Sequence, residues 1–333
     1  MEQQSTIAWF RRLALFASVL ALCVVVLGAY VRLSDAGLGC PDWPGCYGSM
    51  TVPQSEAALA YAQTAYPDKP LQTHKAWKEM VHRYAAGTLG LLILALCALG
   101  WAGRRQVRVS PWTPSVLLLL VIFQAMLGMW TVTLLLKPAV VTSHLLGGMA
   151  TLALLAWIAH RHWGKMTDAI AQHGTIRLWA RGALIILFAQ IFLGGWTSSN
   201  YAALACTDFP TCHGVWVPDM DFANAFHLFR ELGQTANGAN LALPAYTAIQ
   251  WLHRIGALVT LFYLGLLGLN LLRYAQTRTI AVLMLVILAA QISLGIANLV
   301  LHLPLVLAVA HNLGAALLLL TIVVLNSKMT KLP

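Results

Sequence analysis

Eight long apolar runs, parted by polar stretches, organise this chain. They fall near 13–33, 81–102, 115–136, 140–159, 182–199, 252–272, 279–300 and 305–326. About 20 apolar residues suffice for an α-helix to cross a bilayer. The first run is too long for the core of a signal peptide, and no small-residue cleavage site follows it, so it reads as a true span. The pattern predicts an all-α polytopic membrane protein with eight transmembrane helices.

Charge then orients the spans. The formal net charge is +10, which alone invites a nucleic-acid partner. The basic residues lie instead in short loops of one parity: Arg11 and Arg12, Arg104, Arg105 and Arg108, Arg161, Lys165, Arg177 and Arg181, Arg273 and Arg278, and Lys328 and Lys331. This is the positive-inside pattern. It predicts both termini in the cytoplasm, with loops 34–80 and 200–250 outside, and it removes the nucleic-acid reading. Membrane lipid is the partner that the composition implies.

The chain repeats itself. Gln124 and His144 are 20 residues apart, as are Gln291 and His311, and both glutamines open a Gln-x-x-Leu-Gly motif. Leu27-Gly28 matches Leu193-Gly194 at a shift of 166, and Cys40…Cys46 matches Cys206…Cys212 at the same shift. His82-Arg83 matches His253-Arg254 at a shift of 171. Four spans per half is an even number, so the halves share one orientation and form a parallel repeat. The expected architecture is two four-helix bundles, residues 1–165 and 166–333, each able to hold a cofactor between facing helices.

Four histidines carry the candidate chemistry. His82, His144, His253 and His311 each open an apolar run, and small residues follow three and four positions later: Ala85 and Ala86, Gly147 and Gly148, Gly256 and Ala257, Gly314 and Ala315. Those positions share a helix face with the histidine. Each imidazole is thus expected above a patch of bare backbone, which suits an axial ligand to a flat macrocycle. A lone buried histidine is more often a hydrogen-bonded core residue. Two per half, at the outward ends of the spans, favour paired axial ligation of haem. His160, His162 and His173 fall in or beside a basic loop and read as solvated. His74, His213, His227 and His302 fall in outer loops and turns.

Arg83 and Arg254 follow two of the key histidines on the side where positive charge is disfavoured. Interfacial snorkelling explains them blandly; pairing with a haem propionate is the functional alternative. Of six cysteines, Cys23 and Cys97 lie within apolar runs and read as core residues. Cys40–Cys46 and Cys206–Cys212 lie in outer loops, where an oxidising compartment favours a disulfide in each pair. A zinc site is disfavoured because no Cys/His set completes it. Structural and redox roles for the pairs both stay open. Glu79 precedes His82 by three residues. The bland reading is a helical ion pair with Arg83, but the equivalent residue before His253 is Gln250. That difference suggests a catalytic first half and an electron-transfer or structural second half.

Together, Glu79-x-x-His82-Arg83, His144-x-x-Gly-Gly, His253-Arg254, His311-Asn-Leu-Gly, the outer cysteine pairs and the eight spans resemble the haem A synthase family (COX15/CtaA). The likeness covers about residues 10–327. It implies an oxidoreductase that converts the C8 methyl of haem O to the formyl of haem A for cytochrome oxidase assembly. It implies haem b held by His253 and His311, and substrate haem O between His82 and His144 with Glu79 at the catalytic position. It implies a bacterial inner membrane, handover of haem O from a haem O synthase and an unidentified electron carrier, and leaves a homo-oligomer open. Two other functions fit paired histidines: a diheme b-type electron-transfer cytochrome, and a haem exporter or chaperone.

Overall fold

The structure, a computed structural model, describes residues 2–105, 110–163 and 174–329, with the backbone alone for 2–6 and 162–163. Arg108, Lys165, His173, Lys331 and the side chain of His162 lie outside the described residues. Ten helices follow in order: α1 Glu2–Leu33, α2 Glu56–Ala65, α3 Thr73–Ala102, α4 Trp112–Thr133, α5 Pro138–Trp163, α6 Gly174–Ser199, α7 Phe222–Ala225, α8 Leu243–Leu271, α9 Arg278–Val300 and α10 Leu305–Met329. All but α2 and α7 are long and apolar enough to cross a membrane, which matches the eight expected spans. The chain is an integral membrane protein.

Helix and apolar run do not coincide. Backbone hydrogen bonding carries α3 back to Thr73 and α8 back to Leu243, ahead of the expected starts at 81 and 252. In α3 the added turns are largely polar and carry the helix toward the interface, whereas in α8 they are mostly apolar and extend the span itself. His82 and His253 therefore sit more than two turns inside their helices rather than at the start. The ends of α1, α4, α6 and α9 share another pattern. A left-handed residue follows each helix: Asp35 at φ 51°, Leu135 at 48°, Tyr201 at 55° and His302 at 56°. The next N–H bonds back five residues, as from Ala36 to the Val31 carbonyl at 3.0 Å and from Leu136 to that of Thr131 at 2.8 Å. Such closures satisfy carbonyls that a helix end leaves open.

Among the spans, α1 and α4 both pack on α3 and α5, while α6 and α9 both pack on α8 and α10. The diagonal partners α3 and α5 do not approach one another closely, and neither do α8 and α10. The two sets meet where α5 packs on α6 and α10, and α1 on α10. The largest fully buried apolar side chains include Phe10, Ile93, Leu117, Leu155, Ile158 and Leu264. These six lie toward the end of the bundle away from the histidines, while Met80, Trp196 and Ile249, equally enclosed, belong to smaller apolar clusters at the histidine end. Three ties link the sets at that end: Lys137 Nζ to Glu231 Oε1 at 2.7 Å, Arg32 Nη2 donating to the Ser198 carbonyl at 3.0 Å, and Thr142 against Ser199 at 3.0 Å between hydroxyls.

Two expectations need correction here. His160 is not solvated; it is half-buried, with Nδ1 2.9 Å from Ser327 Oγ across the α5–α10 contact. Cys97 is buried as expected, but Cys23 faces outward. Lipid-facing positions of a span are as apolar as its core, so composition does not separate the two.

Candidate functional site

Each key histidine rests on a glycine of the neighbouring helix. A Cβ placed on Gly28 would lie 2.8 Å from His82 Cε1, one on Gly128 3.3 Å from His144 Cε1, one on Gly194 3.2 Å from His253 Cε1, and one on Gly295 3.1 Å from His311 Cε1. These glycines stand at matching heights in α1, α4, α6 and α9, each five residues before its helix ends. A side chain there would meet the ring, so the absence of one is what lets α3, α5, α8 and α10 bring their imidazoles inward. The histidines also pair. His82 and His144 are near enough to interact electrostatically, as are His253 and His311.

The expected clearing is only partly bare. Gln124 of α4 lies over Gly147, Gln190 of α6 over Gly256, and Gln291 of α9 over Gly314; a Cβ on any of these glycines would collide with the amide above it. The glycines three residues beyond the histidines thus make room for glutamines rather than for an open macrocycle face. Gly148 is less crowded, its nearest foreign atom being Val25 Cγ2 at 3.9 Å. Both the seats and the glutamines were missed as functional residues. Their signal was present as Gln-x-x-x-Gly at 124–128, 190–194 and 291–295.

Over the histidines lie the cysteine loops. Disulfides join Cys40 to Cys46 and Cys206 to Cys212. Asp42 closes the first loop by accepting from the amides of Tyr47 at 2.6 Å and Gly48 at 2.7 Å. Asp208 does the same for His213 at 2.7 Å and Gly214 at 3.0 Å, and also accepts from the Thr211 hydroxyl at 2.6 Å. The Thr211 hydroxyl, followed by these amides, holds the Asp208 carboxyl well below the usual carboxylate range.

Glu79 and Gln250 anchor these loops to the spans. Glu79 Oε2 accepts from the Cys40 amide at 2.9 Å, and Oε1 pairs with Arg83 at 2.5 Å. The pair is largely enclosed, with side-chain exposures of 6% for Glu79 and 12% for Arg83. Gln250 Oε1 accepts from the Cys206 amide, and its amide nitrogen donates to the Ala203 carbonyl at 2.5 Å. Both residues therefore hold a cysteine loop, a shared duty the bare Glu/Gln contrast did not reveal. The arginines bind the same loops. Arg83 donates to the carbonyls of Asp42, Pro44 and Gly45, and Arg254 to those of Cys206, Asp208 and Thr211.

A metal-bound macrocycle suits the donor set. His82, His144 and His311 each have a buried Nδ1 without a hydrogen-bond partner, although burying an imidazole ordinarily demands one. Neutral imidazole is a common ligand to haem iron. Zinc does not fit the loops. Cys206, Cys212 and His213 are the one close group of metal-type ligands among the described residues, but both sulfurs are in the disulfide. His74, His227 and His302 are exposed, away from the paired sites.

Eight membrane spans, two pairs of buried histidines seated on glycines and disulfide-closed loops above them define a helical membrane protein with paired metal-type ligands in its interior. The chain belongs to the cytochrome oxidase assembly protein family (COX15-CtaA), which it matches over residues 11–323. It is 45% identical over 324 residues to the heme A synthase of Shewanella oneidensis, covering 96% of each chain. It is 27% identical to those of Caulobacter vibrioides (91% of this chain, 90% of the relative) and Paracoccus denitrificans (90% and 82%).

Proposed function

We propose that this chain is a heme A synthase, an oxidoreductase that converts the C8 methyl of haem O to the formyl of haem A for cytochrome oxidase. The observation that carries the reading is the duplicated paired-histidine site, in a family whose named relatives are heme A synthases along nearly their whole length.

The two sets of spans take different parts. Residues 1–165 receive haem O between His82 and His144. Residues 166–333 hold haem b through His253 and His311, and that haem supplies one-electron transfer when bound. The chain's own residues position, exclude and accept. The glycine seats fix the rings, which costs the protein nothing at the moment of reaction. The disulfide loops, clamped by Arg83 and Arg254, cap the sites against water; propionate pairing falls to whatever guanidinium N–H groups the loops leave over. Among the described residues, Glu79 is the one buried carboxylate, a helical turn from His82. It accepts a proton from the substrate carbon's surroundings, or stabilises positive charge developing at the macrocycle edge. Gln250 has no such basicity, which assigns chemistry to the first half. The sites face the outer side of a bacterial inner membrane and both termini are cytoplasmic, an orientation that the positive-inside charge pattern supports. A haem O synthase delivers the substrate, and an external carrier takes the electrons.

Co-expression with a haem O source, followed by chromatography of the extracted haems, tests the reading. Haem A beside haem B is the expected result. Haem B alone would identify a diheme cytochrome, and haem O returned unchanged would identify a carrier.

A further inference from the structure

The two halves differ at the ring nitrogen left for a protein partner. On α6, the Gln190 amide nitrogen lies 3.1 Å from His253 Nδ1 and 3.1 Å from the His253 carbonyl oxygen. Its amide occupies the space over Gly256, where a Cβ would stand 2.2 Å from Gln190 Oε1. The position 166 residues earlier, on α1, is Val24. Valine has no polar side-chain atom, so His82 meets only the backbone there and no side chain partners its buried Nδ1.

The residue three beyond each histidine changes in step. Gln124, Gln190 and Gln291 lie over Gly147, Gly256 and Gly314. Val24 stands where the fourth glutamine would be, and the residue three beyond His82 is Ala85 rather than glycine. Within this one chain, glutamine goes with glycine three times, and valine goes with alanine once. Glycine is needed only where an amide must fit, yet of the three amides Gln190 alone reaches a ring nitrogen; no side chain partners Nδ1 of His144 or His311.

We infer that Gln190 is a positioning residue that locks His253 for a permanently held haem, whereas the first half, where no side chain partners Nδ1 of His82 or His144, leaves its ligands loose so that the site can release its product. This rests on the proposed assignment of resident haem to the second half and substrate to the first. A neutral ring that gives Nε2 to iron keeps its proton on Nδ1, so the amide serves it by presenting Oε1 as acceptor. That bond restrains rotation of the ring. Partners of this kind orient ligating histidines and tune the metal. A ring without one keeps its rotational freedom and gives up its ligand more readily.

The test uses the full-length haem-loaded protein in detergent, with excess apomyoglobin as haem scavenger. Gln190→Val should release haem b roughly tenfold faster, which corresponds to about 1.4 kcal/mol, and should shift its midpoint potential. Gln190→Glu, a near isostere that keeps an acceptor, should restore most of the retention. Valine already stands at the equivalent place in α1, so the span tolerates it; Gln190→Leu repeats the measurement with another apolar shape. The reverse exchange, Val24→Gln with Ala85→Gly, should slow release of haem from the first site by a similar factor. If His253→Ala alters the wild-type spectrum but Gln190→Val and Gln190→Leu leave both release rate and potential unchanged, the inference fails alone. If His253→Ala leaves the spectrum intact, the haem assignment fails and takes the inference with it.

Discussion

Gly28→Ala probes the histidine seats where they are tightest. The added Cβ would stand 2.8 Å from His82 Cε1, while unstrained carbon–carbon contact is about 3.5–4.0 Å. The ring or α1 must then move by roughly 0.7 Å or more. Overpacking of this sort costs about 1–3 kcal/mol. Alanine for glycine within a helix returns about 1 kcal/mol, so the net loss of stability should not exceed about 2 kcal/mol. Ligand–metal distances tolerate only about 0.2 Å. The fold should therefore survive while the site does not. Gly90→Ala is the control, because no foreign atom lies within 4 Å of a Cβ there; it brings the same propensity gain and no clash. Thermal melting in detergent reads the fold, and the absorbance of haem O bound to the first half reads the site. The expected outcome is near-normal melting with lost or high-spin haem for Gly28→Ala, and no change for Gly90→Ala. Equal behaviour of the two variants in both measurements would refute the seat.

Other outcomes follow from the loops and their anchors. Glu79→Gln keeps an acceptor for the Cys40 amide, as Gln250 does for Cys206, and leaves Arg83 its three carbonyl partners; it should cost about 1–3 kcal/mol yet lower haem A output about a hundredfold or more, and abundant haem A in the extract would remove Glu79 from catalysis. Asp208 has its folded-state pKa depressed, so its contribution is complete above the unfolded value of about 3.9 and fades as pH falls from there through the lower folded value. Limited proteolysis of the 206–214 loop should accordingly stay slow at neutral pH and speed up only in strong acid, whereas Asp208→Asn should be cleaved readily at neutral pH. After reduction, a membrane-impermeant thiol reagent should label Cys40, Cys46, Cys206 and Cys212 from the outer side of intact cells; labelling from the cytoplasmic side alone would invert the topology.

The spans were legible because hydropathy is a property of single positions summed over a window. The starts of α3 and α8 were not, since residues 73–80 are largely polar and Pro244 interrupts the apolar residues of 243–251, and hydropathy is blind to backbone hydrogen bonding. The four histidines stood out as polar residues in apolar runs, and each lies in one of the paired sites. What covers the small residues beyond them could not be read, because Gln190 and Gly256 meet only when α6 packs on α8. His160 was misjudged for the same reason: its partner Ser327 is 167 residues away on α10. Glu79 and Gln250 differed visibly in sequence, but the backbone amides they hold are 39 and 44 residues distant. Local pattern shows which residues are costly to bury; the contacts that make them tolerable belong to the packed bundle.

The common task of Glu79 and Gln250 says something about how two matching halves of a chain can differ in chemistry. An amide N–H asks its acceptor for a lone pair, which carboxylate and carboxamide both offer. The other arm of the fork is where the halves part: Glu79 turns it to Arg83, while Gln250 donates with it to the Ala203 carbonyl. Exchange of one oxygen for one nitrogen group can thus alter the proton chemistry of a half without redrawing its backbone. Distinct halves need no new architecture, only a position whose first contact is shared and whose second is matched to a different neighbour.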